Sequence, residues 1–120
     1  MNKINELEKE DISKSSEGCP MTSVMNVIGG KWKIIILYHL RDSILRFGEL
    51  KKRIPNITQK MLTQQLRELE RDGLVKRTVY PEVPPRVEYQ STYLSDELRP
   101  IIDMLCDWGK RQQAVSKLKN

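Results

Sequence analysis

The sequence predicts an α+β fold, mainly α: a winged helix-turn-helix with a dimerisation helix at its N-terminal and C-terminal ends. Three observations predict it. Residues 47–73 read as two helices separated by the tight Pro55-Asn56-Ile57 turn and stopped at Gly73. Residues 74–93 read as two strands around Pro81-Glu82-Val83-Pro84-Pro85, a tip that cannot continue a hydrogen-bonded ladder. The second helix of the pair is apolar on one side and carries Lys, Thr, Gln and Arg on the other, a face suited to a nucleic-acid groove.

At 120 residues the chain is long enough for one domain with a modest core. The expected organisation is a flexible N-terminal arm over 1–18, a winged helix-turn-helix domain over 19–115 and a tail over 116–120. Within the domain the helix-turn-helix occupies 47–73, the wing 74–93 and the dimer helix 95–112. The formal net charge is +5, and residues 46–86 hold ten Lys and Arg against five Asp and Glu, a surplus equal to that of the whole chain. Phosphate attraction is the usual use of such a localised surplus, and a solvated basic surface is the plainer alternative.

Each element has a local reason. Residues 1–18 are polar, net negative and rich in Ser, Glu and Lys, a composition that orders poorly. Pro20 suits a first helical turn, and Met21, Val24, Met25 and Ile28 follow at i, i+3, i+4 and i+7, giving one apolar face. Gly29-Gly30 ends that helix. Residues 31–41 are almost wholly apolar, with Trp32, Ile35, Ile36 and Leu40 at helical spacing. Eleven residues is long for a strand, so a central helix is expected. Asp42-Ser43 marks a turn, and 44–46 a short strand able to pair with the wing. Phe47, Leu50 and Ile54 form the next stripe, ended by Pro55.

The second helix of the motif can be placed by angle. At about 100° per residue, Leu66 and Leu69 fall within roughly 40° of Leu62. Lys60, Thr63, Gln64, Arg67 and Arg71 fall roughly 100° to 200° away, on the opposite side. Thr58 is a natural N-cap and Gly73 a natural left-handed stop. Val75, Thr78, Val79 and Tyr80 favour a strand, and 86–93 resumes with Val87 and Tyr89 alternating against Glu88 and Gln90. Ser95 is expected to cap a last helix with Leu98, Ile101, Ile102, Leu105 and Trp108 on one face.

Catalysis finds no support. There is no Gly-rich phosphate loop, no serine nucleophile elbow and no metalloprotease motif, so the chain is expected not to be an enzyme. His39 lies mid-way in the most apolar helix and reads as a buried, hydrogen-bonded histidine. Cys19 and Cys106 are too few for a disulfide scaffold, and with His39 they lack metal-ligand spacing. No metal and no cofactor are expected. No run approaches the ~20 apolar residues of a membrane span, and the first residues lack the apolar core of a signal peptide. A cytoplasmic protein without a membrane partner is expected.

The polar face of the second helix carries the positive signal. Gln and Arg can make bidentate contacts to adenine and guanine edges, Thr can meet a thymine methyl, and Lys can pair with guanine or phosphate. Arg86 lies beside the wing tip, and Lys76 and Arg77 lie on the first wing strand, as candidates for phosphate or minor-groove contact. The apolar faces at the two ends, Met21/Val24/Met25/Ile28 and Leu98/Ile102/Leu105/Trp108, exceed the needs of so small a core. Sharing them across a two-fold axis would give a homodimer with two readers on successive major grooves. Cys19 precedes a helix N-terminus, where amide groups and the helix dipole favour a thiolate. It reads as a reactive thiol or as an inert, half-buried one. Cys106, on the flank of the last helix, reads as buried.

These residues resemble the HxlR-type family of winged helix-turn-helix transcriptional regulators, related to the MarR group, over about 19–108. The marks are Cys19-Pro20, Gly29-Gly30-Lys31-Trp32, Arg46-Phe47-Gly48-Glu49-Leu50, the run from Gln59 to Glu70 into Asp72-Gly73-Leu74-Val75, and Pro84-Pro85-Arg86-Val87-Glu88-Tyr89. The resemblance implies a homodimer that binds double-stranded DNA at an inverted-repeat operator. It implies DNA contacts at Thr58, Gln59, Lys60, Thr63, Gln64, Arg67 and Arg86, and dimerisation through the terminal helices. Some members sense oxidants or electrophiles with a cysteine where Cys19 stands. The alternative is a protein-interaction adaptor on a winged-helix scaffold that has lost DNA binding.

Overall fold

The computed structural model describes residues 18–119. The arm expected over 1–18 lies outside the described residues except for Gly18, as does residue 120. The described residues fall into two units, 18–30 and 31–119. In the first, α1 (Pro20–Ile28) begins with proline in its first turn and ends where the Gly29 amide donates to the Met25 carbonyl, 2.9 Å away. Gly30 follows at φ +85°, a left-handed conformation that glycine adopts without steric cost. Met21, Val24 and Met25 are exposed and Ile28 is half-buried.

The second unit is a winged helix-turn-helix. It contains α2 (Lys33–Leu40), β1 (Leu45–Arg46), α3 (Phe47–Arg53), α4 (Gln59–Arg71), β2 (Val75–Tyr80), β3 (Arg86–Ser91), α5 (Tyr93–Asp96) and α6 (Arg99–Lys119). Of the apolar 31–41 segment, Lys33–Leu40 is helical, as the spacing predicts, with Trp32 and Arg41 as its flanking caps. The three strands form one antiparallel sheet in the order β1-β3-β2. The short 44–46 segment does return to the wing, with Leu45 opposite Tyr89 and Arg46 opposite Glu88.

The core lies between α2, α3, α4 and the base of the wing. Ile36, Leu37 and Leu40 meet Leu50, Ile54, Ile57, the Leu62/Leu66/Leu69 stripe of α4, and Leu74 and Val75. Burying that stripe leaves the opposite side of α4 facing outward. The helix is fixed at both ends. The Thr58 hydroxyl accepts from the Met61 amide at 3.0 Å, and Gly73 takes φ +79° to turn the chain into β2. Arg41 pairs with Asp103 at 3.2 Å, and Arg99 pairs with Asp42, so ion pairs tie the end of α2 to the start of α6.

The C-terminal end differs from the expectation. Ser95 does not cap the last helix. It is buried at the third position of α5, whose cap is Thr92: the Thr92 amide donates to Ser95 Oγ at 2.8 Å, and the Ser95 amide donates to Thr92 Oγ1 at 3.3 Å. The Thr92 hydroxyl donates to the Gly73 carbonyl at 2.6 Å, joining this cap to the turn after α4. A helix running unbroken from 95 would need an N–H at Pro100, and proline has none. The chain therefore breaks after Asp96 and restarts at Arg99 with Pro100 in the tolerant first turn. The last helix also runs beyond 112, so 116–119, expected as tail, is helical.

Three expectations about burial change as well. Ile102 is only 3% exposed within this single chain, so it belongs to the protomer's own core and not to a dimer face. His39 is half-buried, not buried, and it meets the Tyr38 ring in a T-shaped contact, with centroids 5.0 Å apart, instead of a hydrogen-bonding group. Cys106 is half-buried. Among the described residues no helix is long and apolar enough to cross a membrane.

Candidate nucleic-acid interface

The outward side of α4 forms one shallow groove lined by Gln59, Lys60, Thr63, Gln64, Arg67 and Glu68. Five of these six are residues that the sequence selects. Gln59, Lys60, Gln64 and Arg67 are exposed and Thr63 is half-buried. The Thr63 hydroxyl donates to the Gln59 carbonyl at 2.8 Å, one turn back along the helix. Its polar hydrogen is thereby used, and the methyl group is the apolar part left for a neighbour. Thr58 is exposed at the N-cap, next to Gln59, with its oxygen engaged by the Met61 amide. Arg71, at the far end of the polar side, pairs with Asp72 at 3.2 Å.

Glu68 is the member of this groove that sequence reasoning missed. Its Oε1 accepts from Lys33 Nζ at 2.8 Å, and its Oε2 accepts from Gln64 Nε2 at 3.2 Å. The Lys33 hydrogen bond, then that of Gln64, holds the Glu68 carboxyl below the usual carboxylate range. Lys33 is 7% exposed. A lysine inside the otherwise apolar Ile-rich run of α2 was the available signal, because a buried ammonium needs a counter-charge. The spacing of 35 residues to Glu68 has no periodicity that would identify the partner.

The cations named on the wing differ in their surroundings. Arg86 is half-buried. Its guanidinium donates to Glu88 at 2.8 Å and to Glu82 at 3.1 Å, and lies over the Tyr80 ring at 3.8 Å from the centroid. It braces the tip end of the wing. Arg77 instead lines a second depression with Thr63, Leu66, Arg67, Glu70 and Tyr89, between α4 and the hairpin. Thr63 and Arg67 belong to both hollows, so the polar strip runs from α4 to the wing through shared residues. Lys76 and Arg77 are exposed, and neither has an ion-pair partner among the described residues.

The outward face of α6 is also shifted from the expected one. Leu98 is half-buried and Ile102 buried, whereas Ile101, Met104, Leu105, Trp108, Val115 and Leu118 are exposed. Positions 101, 104, 108, 115 and 118 fit alternating three- and four-residue steps, with Arg111 between them, the spacing of a helix-pairing seam. The 3.6-residue period alone does not say which of two adjacent stripes faces the core. In α1, Cys19 is exposed at the N-cap, with its carbonyl accepting from the Thr22 amide at 3.0 Å.

The HxlR-like helix-turn-helix family pattern matches residues 27–117. The HTH-type transcriptional regulator YdeP of Bacillus subtilis (strain 168) is 51% identical over 108 residues, covering 89% of this chain and 84% of the relative. Among solved structures, the redox regulator HypR is similar in its reduced form, with TM-score 0.77, 47% identity, and 82% of this chain and 98% of HypR covered. Its oxidised form gives TM-score 0.75 and 50% identity over 78% of this chain and 96% of HypR. A chain assigned to the MarR family from Porphyromonas gingivalis W83 gives TM-score 0.76 at 45% identity, over 80% of this chain and 94% of that one. The chain therefore belongs to the HxlR-like helix-turn-helix family, a MarR-related family of transcriptional regulators and not of enzymes.

Proposed function

We propose that the chain is a sequence-specific double-stranded DNA-binding regulator that acts as a homodimer on an inverted-repeat operator and responds to oxidants or electrophiles through Cys19. The observation that carries this reading is the groove on α4. One stable helix face brings together Gln59, Lys60, Thr63, Gln64 and Arg67, residues able to contact base edges and phosphates, and helix-turn-helix regulators in general bind DNA. The unpartnered apolar faces support a second copy: Met21, Val24 and Met25 on α1, and Ile101, Met104, Leu105 and Trp108 on α6. The exposed thiol of Cys19 and the likeness to HypR, a redox regulator, support the input. Such a protein works in the cytoplasm, where its DNA is.

The test is binding to duplex DNA from the protein's own upstream region, followed at two salt concentrations. Specific binding should weaken steeply with salt. Alanine at Gln64 or Arg67 should cost about 1–3 kcal/mol if each makes a base contact. A protein partner captured independently of salt, together with no affinity for any duplex at low salt, would replace this reading with an adaptor. Oxidant-driven release of DNA that persists in a Cys19→Ser protein would remove Cys19 as the input.

A further inference from the structure

Lys33 is a buried ammonium with no direct part in the groove, yet it is joined to it through two hydrogen bonds. Glu68 divides its carboxylate between two partners, Oε1 to Lys33 and Oε2 to Gln64. Gln64 and Glu68 lie four residues apart on α4, so both side chains stand on one stripe of the helix. Lys33 reaches Glu68 from the first turn of α2.

A carboxylate only accepts hydrogen bonds. The side of the Gln64 amide that faces Glu68 must therefore be its NH2 group, and turning the amide over would set a carbonyl oxygen against a carboxylate oxygen. One amide hydrogen is used by Glu68. The second hydrogen and Oε1 stay free, and their order is fixed. That free pair, one acceptor and one donor, matches the N6 donor and N7 acceptor that adenine presents in the major groove. An unanchored glutamine could turn over or swing away, and would discriminate less.

We propose that Lys33 and Glu68 are positioning residues that lock the orientation of the Gln64 amide and so set a preference for adenine at the base pair that Gln64 meets. This inference rests on the reading of α4 as the groove-reading helix. Lys33 has a second effect in the same arrangement. It neutralises the carboxylate that α4 would otherwise present to phosphates, so its charge offsets a repulsion as well as holding a geometry.

The experiment is selection from a pool of duplexes with a randomised centre, using the full-length protein. Affinities are then measured on the selected duplex and on duplexes altered one base pair at a time. The wild-type protein should favour A·T at one position of each half-site by roughly 5- to 150-fold, the range a good bidentate contact supplies. Gln64→Ala should abolish that preference alone. Glu68→Gln, nearly isosteric and without the charge, should cut it to below about threefold while leaving the base preferences at the other positions in place. Lys33→Met should lose the same preference and also weaken binding to every duplex. Adding Glu68→Gln to Lys33→Met should restore affinity without restoring the preference.

A merely structural ion pair would change the melting temperature and leave the base preference unmoved. An unchanged preference in a folded, DNA-binding Glu68→Gln protein therefore overturns the proposal, and that variant decides even if Lys33→Met does not fold. Failure of the wild-type protein to bind any duplex at low salt overturns the groove reading itself, and this inference with it, which is a different result from binding without the adenine preference.

Discussion

Arg86 lies over the ring of Tyr80, its cross-strand partner in the wing ladder, with the guanidinium carbon 3.8 Å from the ring centroid. Glu82 and Glu88 hold the same guanidinium from the hairpin tip and from its own strand. A cation engaged in this way would have to give up those partners to meet a phosphate. Arg77, exposed beside Arg67 across the second depression, has no such partners to lose. Arg77→Ala should lower the slope of log affinity against log salt by about one, as the loss of a single phosphate contact does. Arg86→Ala should leave that slope unchanged and speed amide hydrogen exchange in β2 and β3. Equal slope changes in the two variants would return Arg86 to the DNA contacts.

Ile102 and Met104 are two positions apart on α6 yet face opposite ways, 3% and 70% exposed. They separate the stability of the protomer from the stability of a dimer. Ile102→Ala should cost about 2–5 kcal/mol of folding stability through the cavity it leaves, whatever the protein concentration. Met104→Glu should leave the isolated protomer folded and shift sedimentation toward the monomer, because it sets a charge in an apolar seam. A Met104→Glu protein that still sediments as a dimer would remove this face of α6 from the interface.

His39 lines an apolar hollow with Ile34, Ile35, Tyr38, Ile102, Leu105 and Cys106. Burial disfavours its charged form, and Arg53 and Arg41 add to the effect, so its pKa lies below the ordinary 6.5. The sign follows from linkage. The unfolded chain takes up the proton near 6.5, before the folded chain does, so stability falls as pH drops below that value and levels off below the folded-state pKa. The carboxyl of Glu68 is shifted in the same direction, from 4.5, so its contribution is lost only at lower pH. Between about pH 7.5 and 5.5, urea midpoints should fall more for the wild-type protein than for His39→Leu. Parallel midpoints would show that His39 stays solvated enough to titrate normally.

Much of this organisation is legible from local patterns, and the parts that are not depend on distant partners. The α4 stripe of Leu62, Leu66 and Leu69 fixes which side of the helix is buried, so Lys60, Thr63, Gln64 and Arg67 follow from angle alone, whereas Gln59 comes through the family resemblance. Thr58 and Gly73 announce the ends of α4 because capping is a property of one or two residues. The surroundings of Arg86 were not legible, because a single sequence shows a cation near a tip but not the Glu82, Glu88 and Tyr80 that surround it once the hairpin register is set. Ile102 was misjudged for a related reason: α6 has apolar residues on two adjacent stripes, and only packing against α2 selects which is inside. Lys33 and Glu68 meet across a tertiary contact that no helical or strand period encodes.

Thr58 combines two roles that substitution can part. Its oxygen accepts from the Met61 amide at 3.0 Å, which caps α4, while the residue itself is exposed beside the groove. Thr58→Ala removes the acceptor and should cost about 1 kcal/mol of stability, with any hydroxyl contact to DNA lost as well. Thr58→Asp keeps an acceptor at the cap and adds a negative charge that the helix N-terminus favours, so thermal stability should be held or raised. Under the proposed DNA-binding role, the same charge would stand near phosphates at the N-terminus of α4, and should weaken DNA binding by tenfold or more, on the order of 1.4 kcal/mol. Thr58→Ser should retain both functions. Melting curves and duplex titrations on the three variants check this directly. A Thr58→Asp protein that melts no lower than wild type and binds DNA as tightly would place the N-terminus of α4 away from the phosphate backbone.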